Sequence, residues 1–159
     1  MNGIHETISR NIRSLTQEWL DDGTVPTVRA IGDGLCEEFA EQALARIAAE
    51  LPEASSATFL RYTDDWWMRD LDDDGNDMDA ALSFEADIPR LRSEAAPLPV
   101  DMTDDELSGL IGSATHVWLE WNGLHFDATA PEGRPHFLLM PFFADQIEGY
   151  RRDPERRAA

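Results

Sequence analysis

Three residues of this 159-residue chain have the types needed for nucleophilic chemistry: its one cysteine, Cys36, and His116 with Asp127. A thiolate attacks carbonyls, an imidazole takes the thiol proton and returns it to a leaving group, and a carboxylate fixes the imidazole tautomer. Cys36 follows Gly32-Asp33-Gly34-Leu35 and opens an apolar-periodic segment. The start of a helix offers free N–H groups and the positive end of a dipole, which favour a thiolate and can hold an oxyanion. The competing reading is packing, because cysteine often serves as a small core residue and Cys36 lies on the apolar stripe of its own segment.

The elements that would position these groups are legible to different degrees. The clearest is THVWLEWNGLHFDAT, residues 115–129. Asn122-Gly123 between two alternating runs marks a tight hairpin, since both turn residues need positive φ. A two-residue loop sets Trp121 opposite Leu124, Leu119 opposite Phe126 and Val117 opposite Ala128, all on one apolar face. The other face then carries His116, Trp118, Glu120, His125, Asp127 and Thr129. His116 and Asp127 become diagonal neighbours, roughly 7–8 Å apart at Cα, so their side chains can meet. His125 pairs with Glu120 nearer the turn and is the weaker candidate for a base. A slip of one residue would bury His116 and Asp127 and expose Leu119 and Phe126.

Upstream, Ile4, Ile8, Ile12, Leu15 and Trp19 share one helical face, and Asp21-Asp22-Gly23 ends that helix. Residues 24–34 read as a turn-rich connector. A second helix is expected from about Leu35 to Leu51, with Cys36, Phe39, Ala40, Ala43, Leu44 and Ile47 on its apolar stripe and Pro52 as its stop. Residues 57–62 read as a short strand. Residues 63–102 read as an inserted acidic segment with a short helix near 78–85. Thr103-Asp104-Asp105-Glu106 matches a capping box opening a helix to about Ile111. A strand over 137–143, a helix over 144–152 and a frayed tail over 153–159 complete the reading, which makes 1–152 one α+β domain.

Composition narrows the partners. Asp and Glu total 32 against 13 basic residues, all Arg, for a net charge of −19. A field of that sign repels phosphate backbones, so no nucleic-acid partner is expected. No apolar run approaches membrane-spanning length and residues 1–15 lack the apolar core of a signal peptide, so a cytoplasmic protein without a membrane partner is expected. One cysteine forms no internal disulfide. Asp70-x-Asp72-x-Asp74-Gly75 starts like a calcium loop, but Ala81 stands where the bidentate carboxylate belongs. His116, His125, Asp127 and His136 have ligand types without zinc spacing. No metal and no cofactor are therefore expected.

The segment GLCEEFAEQAL (34–44) resembles the nucleophile helix of transglutaminase-like proteins, and THVWLEWNGLHFDAT resembles their His-(Ala/Val)-Trp strand with the following strand ending in Asp. The resemblance implies a papain-like core, with a helix carrying the nucleophile packed on a small antiparallel sheet. It assigns Cys36 as nucleophile, His116 as base and Asp127 as orienting carboxylate, and leaves the second oxyanion donor unassigned. It implies a cysteine hydrolase or acyl transferase acting on a peptide or other amide, of peptidase, deamidase or transglutaminase type. The acidic surface points to a basic substrate, and Trp118, Trp66 and Trp67 are expected to line its groove. The alternative is a non-catalytic binding or accessory module of phage or mobile-element origin that keeps the fold. Coverage of the His116 face by residues 63–102 would favour that alternative; an open cleft would favour catalysis.

Overall fold

The computed structural model describes residues 3–51, 60–63, 84–93, 98–107, 116–153 and 155, with backbone alone for 60–63, 84–87 and 90. Helix α1 (Gly3–Asp21) forms where the apolar stripe predicts it, burying Ile8, Ile12, Leu15 and Trp19. Helix α3 (Cys36–Glu50) packs on α1 and buries Cys36, Phe39, Ala40, Ala43 and Ile47. Between them lies a helix the sequence reading took for a connector, α2 (Val28–Gly32). Its cap is Thr27, whose side-chain oxygen accepts from the Ala30 N–H at 3.3 Å. One helical turn is too short to show periodicity, so the cap residue was the available signal.

The sheet is antiparallel, with order β1 (Leu60–Thr63), β2 (Val117–Trp121), β3 (Leu124–Phe126). Asn122 and Gly123 take φ of 50° and 75°, as a tight hairpin requires. Leu119 pairs with Phe126, Glu120 with His125 and Trp121 with Leu124, the register that hydrophobic alternation selects. The regular strand stops at Phe126, so Asp127 starts a turn rather than continuing β3. The fold is thus α+β, with the sheet between two sets of helices.

Both faces of the sheet are covered. Val117, Leu119, Trp121, Phe126 and Ala128 join α1 and α3 in a first apolar cluster. Trp118 belongs to a second cluster on the other face, with Ile88, Leu91, Met102, Leu107, Phe137, Leu138, Met140, Phe143 and Ile147. The face read from sequence as open and polar is therefore largely interior. Residues 78–83 of the helix expected near 78–85 lie outside the described residues, and a helix that contains Pro89, α4 (Phe84–Ser93), is present from residue 84. Burial of Ile88 and Leu91, three residues apart on one helical face, offsets the roughly 3 kcal/mol that proline costs inside a helix. Residues 137–143 form a 3₁₀ turn, Phe137–Leu139, followed by α5 (Pro141–Arg152), and not a strand. His136 Nδ1 accepts from the Leu138 N–H at 3.2 Å, and Pro141 supplies a preset first helical residue. A short apolar run fits a strand or a buried helix equally, and only its packing distinguishes them.

The capping box forms as expected: the Glu106 N–H donates to Thr103 Oγ1 at 3.1 Å and the Thr103 N–H donates to Glu106 Oε2 at 2.8 Å. Residues 108–111 of the expected helix, the acidic run 70–79 with its calcium-like spacing, and the tail 156–159 lie outside the described residues. No described helix is long and apolar enough to cross a membrane.

Gly133 (φ +82°) shows how tightly the hairpin is held: a Cβ there would stand 2.7 Å from Phe126 Cε1. Gly23 has a similar φ of +78° with nothing within 4 Å of such a Cβ. Gly23→Ala should therefore cost about 1–2 kcal/mol from backbone strain alone. Gly133→Ala should cost about 1–3 kcal/mol more, because the ring must move. Urea midpoints of the two variants measure the difference, and equal midpoints would mean that Phe126 yields freely.

Candidate functional site

His116 immediately precedes β2 and Asp127 immediately follows β3, so the hairpin holds both at its open end. Its tight turn and paired register fix their separation. The two side chains meet: His116 Nε2 donates to Asp127 Oδ2 at 2.9 Å, with both residues buried. The second carboxylate oxygen is also engaged. Asp127 Oδ1 accepts from the Thr129 N–H (2.8 Å), the Thr129 hydroxyl (2.6 Å) and the Ala130 N–H (2.8 Å). Asp127-Ala128-Thr129 is thus an Asx turn that locks the carboxylate while ending the strand.

Cys36 is the first residue of α3, and α3 packs against β2, which brings the helix N-terminus to the His116 end of the hairpin. Relative exposures are 7% for Cys36, 2% for His116 and 7% for Asp127. Leu35 sits at the N-cap and makes no side-chain cap, so no capping oxygen competes for the first N–H groups of α3. Cys36 is close enough to the imidazole to act on it through hydrogen bonding and charge.

The electrostatics follow from this packing. Burial alone would lower the His116 pKa. The hydrogen bonds that the imidazolium donates to Asp127 and to Cys36, with the charges of both, overcome it and raise the value from 6.5 to about 9. Burial opposes ionisation of Asp127 too, but the His116 hydrogen bond and charge, with the Thr129 hydrogen bonds, hold its carboxyl below the usual range. The imidazolium–carboxylate form is favoured at neutral pH. His125 goes the other way: burial lowers its pKa against the opposing charge of Glu120. Its Nδ1 accepts from Trp118 Nε1 at 3.0 Å. His125 is therefore a structural acceptor, and His116 is the base candidate.

A cavity of about 300 Å³ opens beside the three residues. Cys36, His116, Asp127 and Thr129 contribute to its wall, with Val28, Arg29, Ile31, Gly32 and Asp33 from α2 and its end, and Pro141, Phe142, Asp145 and Gln146 from α5. Its size is at the lower end for ligand pockets, enough for a side chain or a small amide.

Phe142 and Gln146 were not singled out in the sequence. Phe142 lies flat on the imidazole, with ring centroids 3.8 Å apart and planes 11° off parallel. Gly32 permits this, since a Cβ there would come within 3.0 Å of the Phe142 ring. Gln146 also lines the cavity. Both belong to a helix that looked unrelated to the site. The aromatic run beside Pro141 was the one available hint, and it carries no chemistry of its own.

The predicted groove residues fare differently. Trp118 stacks beside His116 (centroids 5.7 Å, 23°) but is 1% exposed, lies in the second apolar cluster and does not line the cavity. It supports the imidazole from behind, because its ring fills the sheet–α5 interface. Trp66 and Trp67 lie outside the described residues. Among the described residues, no group of three or more His, Cys, Asp or Glu is placed to hold a metal ion. Comparison with known protein families, curated proteins and solved structures finds no match to this chain.

The buried pair predicts a pH dependence of stability. A raised His116 pKa contributes stability that is full below its unfolded value of 6.5 and lost as pH rises through about 9. The lowered Asp127 pKa contributes above the ordinary carboxylate value and is lost as pH falls through its folded value. Thermal stability should therefore fall from pH 6.5 to 9, by on the order of 1–3 kcal/mol. In Cys36→Ala the decline should be smaller and end at lower pH, because the thiol's share of the support for the imidazolium is gone. A profile flat to pH 9 in the wild type would contradict the ion-paired state.

Proposed function

We propose that the chain is a cysteine-nucleophile hydrolase or acyl transferase acting on an amide, with a papain-like, transglutaminase-like arrangement of its site. The observation that carries this reading is the convergence of Cys36, His116 and Asp127 on one cavity. Cys36 attacks the substrate carbonyl, forming a C–S bond as the carbonyl electrons move to oxygen. The Cys36 N–H at the helix N-terminus donates to that oxyanion, and Gln146 is the side-chain amide available as second donor. The C–N bond then breaks, and His116 gives its proton to the departing amine, leaving a thioester. Water or an acceptor amine attacks the thioester and yields its proton to His116, restoring thiolate and imidazolium. Asp127 holds the imidazole with Nε2 toward itself, which directs Nδ1 to the nucleophile side.

Two observations bear on the non-catalytic alternative. Ile88, Leu91 and Met102, from the 63–102 segment, pack on the sheet face that carries Trp118, which favours the non-catalytic module. The membership of Cys36 in the first apolar cluster supports a packing role. Alkylation of Cys36 by iodoacetamide, followed by mass spectrometry across pH 5–10, separates the readings. At pH 7 the wild type should react faster than His116→Ala by roughly tenfold or more, with Asp127→Asn between them. Circular dichroism checks that each variant is folded. A thiol that is inert throughout, or indifferent to His116 in a folded variant, would leave Cys36 as a packing residue and favour the binding module.

A further inference from the structure

The charged groups of the cavity wall do not balance. Asp127 is matched by His116, and Asp145 on α5 is matched by Arg29 on α2 in an ion pair that spans the two helices lining the cavity. Asp33 also lines the cavity, is exposed, and has no ion-pair partner among the described residues. It stands three residues before the nucleophile, so the two Cα atoms lie within about 11 Å of each other. A group held by Asp33 would therefore sit a few bonds from a carbonyl held at Cys36.

We propose that the cavity selects substrates carrying a cationic group, an amine or guanidinium, close to the reacting carbonyl, with Asp33 as the carboxylate that recognises it. This rests on the cysteine-nucleophile reading and names the substrate class for it. Among the described residues Arg29 is the one cation of the wall besides His116, and it is paired with Asp145. Val28, Ile31, Phe39 and Phe142 give the wall an apolar portion that suits the hydrocarbon between cation and carbonyl. The net charge of −19 attracts cations generally, but that field is screened over about 8–10 Å at physiological salt, which leaves selection to the local carboxylate.

The test uses three alkylating probes on Cys36 at one pH and salt concentration: iodoacetate, iodoacetamide and protonated 2-bromoethylamine. In each, the thiolate forms a C–S bond and halide leaves; the probes differ in charge and in intrinsic reactivity, and reference to free cysteine removes the second difference. Rates are expressed relative to those of free cysteine with the same probe. The wild type should prefer the cationic probe over the neutral one and the neutral over the anionic. Asp33→Asn should lower the cation-to-neutral ratio by roughly fivefold, whereas Arg29→Ala, which releases Asp145, should raise it. Asp21→Asn, a charge removed outside the cavity, should leave the ratio unchanged. Reaction with iodoacetamide but no cation preference, or a preference untouched by Asp33→Asn, would overturn the substrate class while sparing the nucleophile. No reaction with any probe would overturn the nucleophile reading and this inference with it.

Discussion

The fold is organised around a buried ion pair. His116 and Asp127 are removed from water, and each alone would carry a desolvation penalty of several kcal/mol when charged. They remain charged because the 2.9 Å hydrogen bond joins them and three further donors occupy the other carboxylate oxygen. Such a pair tolerates little displacement. The two-residue turn at Asn122-Gly123, the register of β2 with β3 and the Asx turn at 127–129 combine to hold the two residues in place.

The pair also explains why the sheet is covered on both sides. A hairpin with one wet face would leave the imidazole in contact with water, where the charge of Asp127 is screened. Here α1 and α3 close one side, while α4, the 3₁₀ turn and α5 close the other. Phe142 lies on the ring and Trp118 stacks behind it. The imidazole is then exposed chiefly toward the cavity, where Cys36 stands. The second layer of helices sets the dielectric and orientation of the site as well as burying apolar surface.

The cavity takes its character from two helices that frame it without belonging to the triad. Helix α2 brings Arg29 and, just past its end, Asp33; α5 brings Phe142, Asp145 and Gln146. The Arg29–Asp145 pair is exposed, so its contribution to stability is modest. Its effect is to fix which wall charges remain available.

The sequence by itself determined the elements whose signal is local. The i, i+3, i+4 stripe of α1, the capping box at Thr103 and Glu106, and the Asn-Gly hairpin with its register are each fixed within about twenty residues, by backbone sterics and side-chain alternation. The meeting of His116 with Asp127 followed from that register, since both lie in one hairpin. Approach of Cys36 to them was not fixed by the sequence, because no local rule relates positions eighty residues apart. Tertiary structure decided the rest. Whether Phe137 to Phe143 is strand or helix depended on which cluster buried it. Pro89 sits inside a helix because burial of Ile88 and Leu91 outweighs its penalty. The stacking of Phe142 on His116 and the pairing of Arg29 with Asp145 are contacts between distant segments. Their energies exist only once the chain has folded, so the residue types that make them carry no sign of it beforehand.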